Sequence, residues 1–155
     1  MIDAVSLKIL KILQEKARIP NVEVARQVGM APSAVLERIR KLEKQGFIDG
    51  YEVRLNPKQF AKSLVAFVRI QINRLGDEKK VGEQLSRIEQ IQEVHYVAGE
   101  DSFLVKIRAA DTEELGRLTR DKIASIATVQ STRTAIALST YKETARIPIE
   151  KIEKK

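Results

Sequence analysis

The chain has no cysteine, which removes disulfides, thiolate nucleophiles and cysteine zinc sites from consideration. Its single histidine, His95, removes any site that draws two imidazoles from one chain. No apolar run approaches the roughly 18 residues that a membrane span needs. The N-terminal stretch MIDAVSLKILKIL carries the acidic Asp3 and lacks a cleavage-site pattern, so neither export nor insertion is expected and the cytoplasm is the expected compartment. No catalytic residue, metal site, cofactor or membrane partner is expected on these grounds. What remains is a globular composition: 155 residues, 43% hydrophobic and 32% charged, enough for one ordinary domain or two small ones with a buried core.

The net charge of +7 suggests a polyanionic partner. Residues 1–50 hold nine Lys or Arg against six Asp or Glu, and residues 51–155 hold nineteen against fifteen, so the first third is denser in net positive charge. Within it Arg38, Arg40, Lys41 and Lys44 cluster, with only Glu37 and Glu43 nearby to offset them. These residues belong to the stretch NVEVARQVGMAPSAVLERIRKLEKQG, residues 21–46. Asn21 is a good N-cap, Val22, Ala25 and Val28 recur at helical spacing, and Gly29 offers a left-handed stop. Pro32 is pre-set for a first helical turn, after which Val35, Ile39 and Leu42 share one face. A short helix, a turn and a longer basic-faced helix form a helix-turn-helix, whose second helix enters the major groove of double-stranded DNA. Ser33, Ala34, Val35 and Glu37, at the helix start, are the candidates for base contact, and Arg38, Arg40 and Lys41 the candidates for phosphate or base contact. A helical hairpin with charges outside also describes domains that bind nothing, so the flanks must decide.

Val5, Ile9 and Ile12 predict a first helix over Ile2 to Lys16 that covers the pair. Gly46 ends the third helix, and the stretch from Phe47 to Leu55 reads as a short strand or wing before the breaker Asn56-Pro57. The period then changes. Alternation from Leu64 to Ile72 predicts a strand with one apolar face and one mixed face carrying Val65, Phe67, Arg69 and Gln71. After a break at Gly76-Asp77, Val81, Leu85 and Ile88 predict a helix. Val94 to Ala98 and Phe103 to Arg108 predict a hairpin around residues 99–102. Asp111 with Glu114 starts a helix carrying Leu115, Leu118, Ile123 and Ile126, and Val129 to Leu138 closes as a strand, with Ile147 and Ile149 in a short terminal one. The order is the βαββαβ, ferredoxin-like unit. The expected class is therefore α+β: a winged helix-turn-helix domain over residues 1–55, a linker over 56–62, a ferredoxin-like domain over 63–145 and a C-terminal extension over 146–155. Helices cover one face of such a sheet, so the mixed face predicts self-association as a two-fold dimer.

With NVEVARQVG, LERIRKLEKQGFIDGY, LNP, GEDSF and STRTAIALSTYKE in place, the chain resembles the Lrp/AsnC family of prokaryotic transcription regulators, the feast/famine proteins, over about Ile2 to Ile149. The resemblance implies a sequence-specific DNA-binding regulator that dimerises through its C-terminal domains, often assembles four dimers into an octameric ring, and binds small molecules, usually amino acids, at contacts between dimers. In the family the hairpin turn commonly reads Gly-Asp-aromatic-Asp before an aromatic residue. Here Gly99 and Phe103 match, Glu100 stands for the first Asp, Asp101 for the aromatic and Ser102 for the second Asp. Thr132, Arg133 and Thr134 match the closing-strand motif near the effector site of relatives. The implied effector set is thus Gly99, Glu100, Asp101, Ser102, Thr132, Arg133 and Thr134, although a turn glycine and strand threonines also have plain structural explanations. Two other functions stand beside the leading one: an architectural protein that compacts DNA, and a tetrapyrrole-acting enzyme of related fold, which the missing cysteine and lone histidine disfavour.

Overall fold

The computed structural model describes residues 2–73, 77–99 and 102–150, so the expected break at Gly76 and the turn carboxylates Glu100 and Asp101 lie outside the described residues. Among the described residues no helix is long and apolar enough to cross a membrane. The chain divides into two compact units, one comprising Met1–Arg54 with the chain from Lys142 onward, the other Leu55–Tyr141.

In the first unit, α1 (Ala4–Glu15) starts where the Asp3 carboxylate accepts the Ser6 N–H at 2.7 Å, satisfying one of the orphan amides of a first turn. α2 (Asn21–Val28) is capped at Pro20 and not at Asn21: the Pro20 carbonyl accepts from the amides of Glu23 and Val24, and Asn21 is already inside the helix. Val24 and Ala25 face inward, while Val22, read from spacing as an inner residue, is exposed. Gly29 ends α2 at φ 71, as the sequence predicts. α3 (Pro32–Lys44) begins on its proline and stops in a Schellman turn: Gly46, at φ 72, donates to Glu43 O at 3.0 Å and Phe47 to Leu42 O at 2.9 Å. Ile9 and Leu13 of α1, Val24 and Ala25 of α2, and Val35, Ile39 and Leu42 of α3 close one apolar core. The expected wing is an extended segment without strand pairing, pinned where Tyr51 Oη donates to Glu43 Oε1 at 2.9 Å. Burial and then that carboxylate push the Tyr51 phenol up to about 12. The expected strand around Ile147 and Ile149 is also absent among the described residues. Instead the Gln14 side chain of α1 exchanges hydrogen bonds with the backbone of Ile147, at 2.7 and 2.9 Å.

The second unit is a four-stranded antiparallel sheet in the order β2-β3-β1-β4, built from β1 (Leu64–Ile72), β2 (Ile91–Val97), β3 (Ser102–Ala109) and β4 (Val129–Ile136). β2 starts earlier than its apolar run suggested and β4 ends earlier. The register places Ala66, Val68 and Ile70 beside Ile107, Val105 and Phe103 on one face. There they pack with Val81 and Leu85 of α4 (Glu78–Ser86) and with Leu115 of α5 (Thr112–Arg117). Beyond Arg117 the helix widens into a π segment over Leu118–Ile123. The reason is legible in the spacing: Leu118 and Ile123 are five residues apart, out of step with a 3.6 repeat, and the wider turn brings both into the core. This is the ferredoxin-like βαββαβ arrangement. Its other face carries Phe67, 40% exposed, with Arg69 directly opposite Arg133.

Candidate DNA-binding face and effector groove

Because α3 buries Val35, Ile39 and Leu42, its opposite side presents Ser33, Glu37, Arg40, Lys41 and Lys44 to solvent, with Ala34 half-buried beside them. Val35 must leave the set of base-contact candidates. Its side chain is 0% exposed, since at i and i+4 it shares the inner face with Ile39. Arg40 Nη1 stands 3.4 Å from Glu37 Oε1, a solvent-exposed pair that constrains neither group strongly. Lys41 and Lys44 also lie in the last turn of α3, where a cation complements the helix dipole whether or not DNA is near.

Arg38 is placed differently from its neighbours. Its Nη1 donates to Asp3 Oδ2 and, at 3.0 Å, to Ser6 Oγ, so α1 holds the guanidinium from the flank of α3. The Ser6 amide, then the Arg38 guanidinium, lower the Asp3 carboxyl from its ordinary 3.8 to about 2. Sequence reading found Arg38 but missed Asp3 and Ser6. Only the N-cap pattern at Asp3 offered any signal, and nothing in it pointed 35 residues downstream.

In the second unit the structure separates the effector candidates. Gly99 sits in the β2–β3 turn at φ 104, a left-handed backbone that an L side chain rarely adopts. Ser102 starts β3, is 1% exposed and accepts from Arg69 Nη1 at 3.2 Å. Thr132 and Thr134 pair with Ile70 and Val68, which turns them toward the helices, whereas Arg133 between them faces the opposite side of the sheet. The two threonines line an open groove of about 490 Å³ against α5 and its π segment. Across it stand Leu115, Thr119 and Arg120, with Ile136 at the end of β4. Arg120 Nε donates to Asp121 at 2.9 Å and Thr119 Oγ1 to Leu115 O at 2.9 Å. Sequence reading missed this helical wall, because its residues look like ordinary members of an amphipathic helix. Gly99 and Ser102 stand apart from the threonines: they flank the connection from β2 to β3, and β1 lies between β3 and β4.

A three-helix unit with an exposed basic helix, joined to a ferredoxin-like unit with a groove beside its edge strand, defines a two-domain DNA-binding regulator. Residues 2–49 match the model of winged helix-turn-helix DNA-binding domains, and residues 65–147 that of the Lrp/AsnC ligand-binding domain. The leucine-responsive regulatory protein of Escherichia coli is 36% identical over 151 residues, which is 96% of this chain and 92% of that protein. A transcriptional regulator of Neisseria meningitidis, solved as a complex with L-methionine, is similar at TM-score 0.90 and 27% identity, over 96% of this chain and 97% of its own. The feast or famine regulatory protein of M. tuberculosis, also complexed with L-methionine, gives TM-score 0.86 and 30% identity over 95% and 99%. The chain belongs to the Lrp/AsnC family of transcriptional regulators.

Proposed function

We propose that this regulator binds double-stranded DNA in the cytoplasm through the outer side of α3, and that an amino acid held between protomers controls its assembly. On α3 the reading assigns Ser33, Ala34 and Glu37 to the bases, Arg40 and Lys41 to phosphates, and Arg38 to the flank. The effector reading assigns Thr132 and Thr134 to one wall of the groove and the turn, residues 99–102, to its completion by another protomer. Arg133, on the far face of β4, belongs with the surface of self-association. One observation carries this reading: Ser102 starts β3 on the face of Gln71 while Thr132 and Thr134 lie on β4 toward the helices, with β1 between the two strands, which favours a ligand held between copies of the chain over one held within a single copy. That is a direct route from ligand to oligomeric state. The groove suits an amino acid chemically, since its lining combines the apolar Leu115 and Ile136 with the polar Thr132, Thr134 and Arg120. Two relatives of known structure hold L-methionine, which supports the ligand class.

Thermal unfolding in the presence of each of the amino acids tests it, because a ligand that binds only the folded form raises its Tm by mass action. One amino acid or a few related ones should raise Tm and change the sedimentation profile. Gly99→Trp should leave dimers folded and abolish that change. A Tm indifferent to every amino acid would remove the effector reading and leave the DNA-binding reading in place.

A further inference from the structure

We propose that Asp3 competes with the DNA backbone for Arg38, so that the free protein withholds one cation of its DNA-binding unit until a phosphate displaces the carboxylate. This rests on the assignment of α3 as the DNA-facing helix. Arg38 and Asp3 are the only pair among the described ion pairs that joins α1 to α3. The Arg38 side chain remains 33% exposed and that of Asp3 53%, so solvent, and equally a phosphate, can reach both. Ser6 Oγ accepts from the same Nη1, which leaves Nε and Nη2 of the guanidinium outside this contact. A phosphodiester presents the same paired oxygens as a carboxylate and takes a guanidinium in the same planar geometry. Exchange of Asp3 for phosphate therefore needs no rebuilding of the helix, only a rotation of a long side chain.

The variant that isolates the effect is Asp3→Asn, since asparagine caps a helix as well as aspartate but cannot hold a guanidinium as a charged acceptor. Glu15→Gln makes the same change in net charge at the far end of α1, on an exposed side chain. Binding is read as fluorescence anisotropy on a random-sequence DNA duplex over a series of salt concentrations. Asp3→Asn should tighten binding roughly two- to fivefold beyond Glu15→Gln with the log-log salt slope nearly unchanged, because Arg38 meets a phosphate in both complexes. Ser6→Ala should tighten binding in the same way by less. Arg38→Ala alone should weaken binding modestly and lower the log-log salt slope by about one unit, and in the Asp3→Asn background it should erase the gain. A gain no larger than that of Glu15→Gln, or one that survives Arg38→Ala, overturns the competition and leaves the DNA-facing assignment standing. Failure of the wild-type protein to bind any duplex overturns both.

Discussion

In each unit an acidic side chain near a helix start reaches a cation far away in sequence, and the two contacts differ in how well they are shielded. Asp3 caps α1 and holds Arg38, 35 residues on, while Glu114 in the first turn of α5 holds Lys62, 52 residues back, at 2.6 Å. Side-chain exposure is 33% and 53% for the first pair and 41% and 18% for the second, so Glu114 is much the better covered carboxylate. Glu114 Oε2 also accepts the Ala110 N–H at 2.6 Å, one residue earlier than a capping box would have it, and the Lys62 carbonyl accepts from Arg108. The second contact is thus one knot in a mesh that anchors the chain entering β1. The first is a two-residue clasp on one guanidinium, and its carboxylate faces solvent. The same chemistry makes a fixed anchor when its acceptors are shared and covered, and an exchangeable contact when they face solvent.

The largest expected effect separates the units themselves. Ile9→Ala empties part of the small first-unit core and should cost that unit about 2–5 kcal/mol. Calorimetry should then show an early transition, with DNA binding lost while amino-acid-dependent association of the second unit persists. A single transition shifted as a whole would show that the two cores melt together. A smaller effect distinguishes the two kinds of lysine. Lys41→Ala should lower the salt slope of DNA binding by about 0.9 and leave Tm nearly unchanged, whereas Lys62→Ala should lower Tm and leave the slope alone. Equal slopes for both variants would remove Lys41 from the duplex.

The smallest effect is in pH. Asp3 has a folded pKa of about 2 against an ordinary 3.8, so its contribution to stability is present above about pH 4 and is lost as pH falls through 2. The clasp is exposed, so the loss should stay well under about 1 kcal/mol. Comparing acid unfolding of wild type and Asp3→Asn between pH 4 and 2 should show the wild type losing slightly more. Parallel curves would mean that Arg38 does not hold Asp3 in solution.

Local pattern alone determined most of the elements: the stops at Gly29 and Gly46, the proline start of α3, the alternation of β1 and the strand-helix order of the second unit. These follow from backbone sterics and from side-chain periodicity, both of which act within a few residues. The same periodicity placed Val35 inward, so its assignment to the bases failed against information already present in the sequence. The glutamine-to-backbone seat of Ile147, the pairing of Arg38 with Asp3, and the division of Thr132 and Thr134 from Arg133 between two faces with a helical wall opposite were decided only by tertiary structure. Each depends on which distant segments chain closure brings together. A long cation at the margin of a helix can turn to solvent or to a neighbouring element, and only the position of that element settles which.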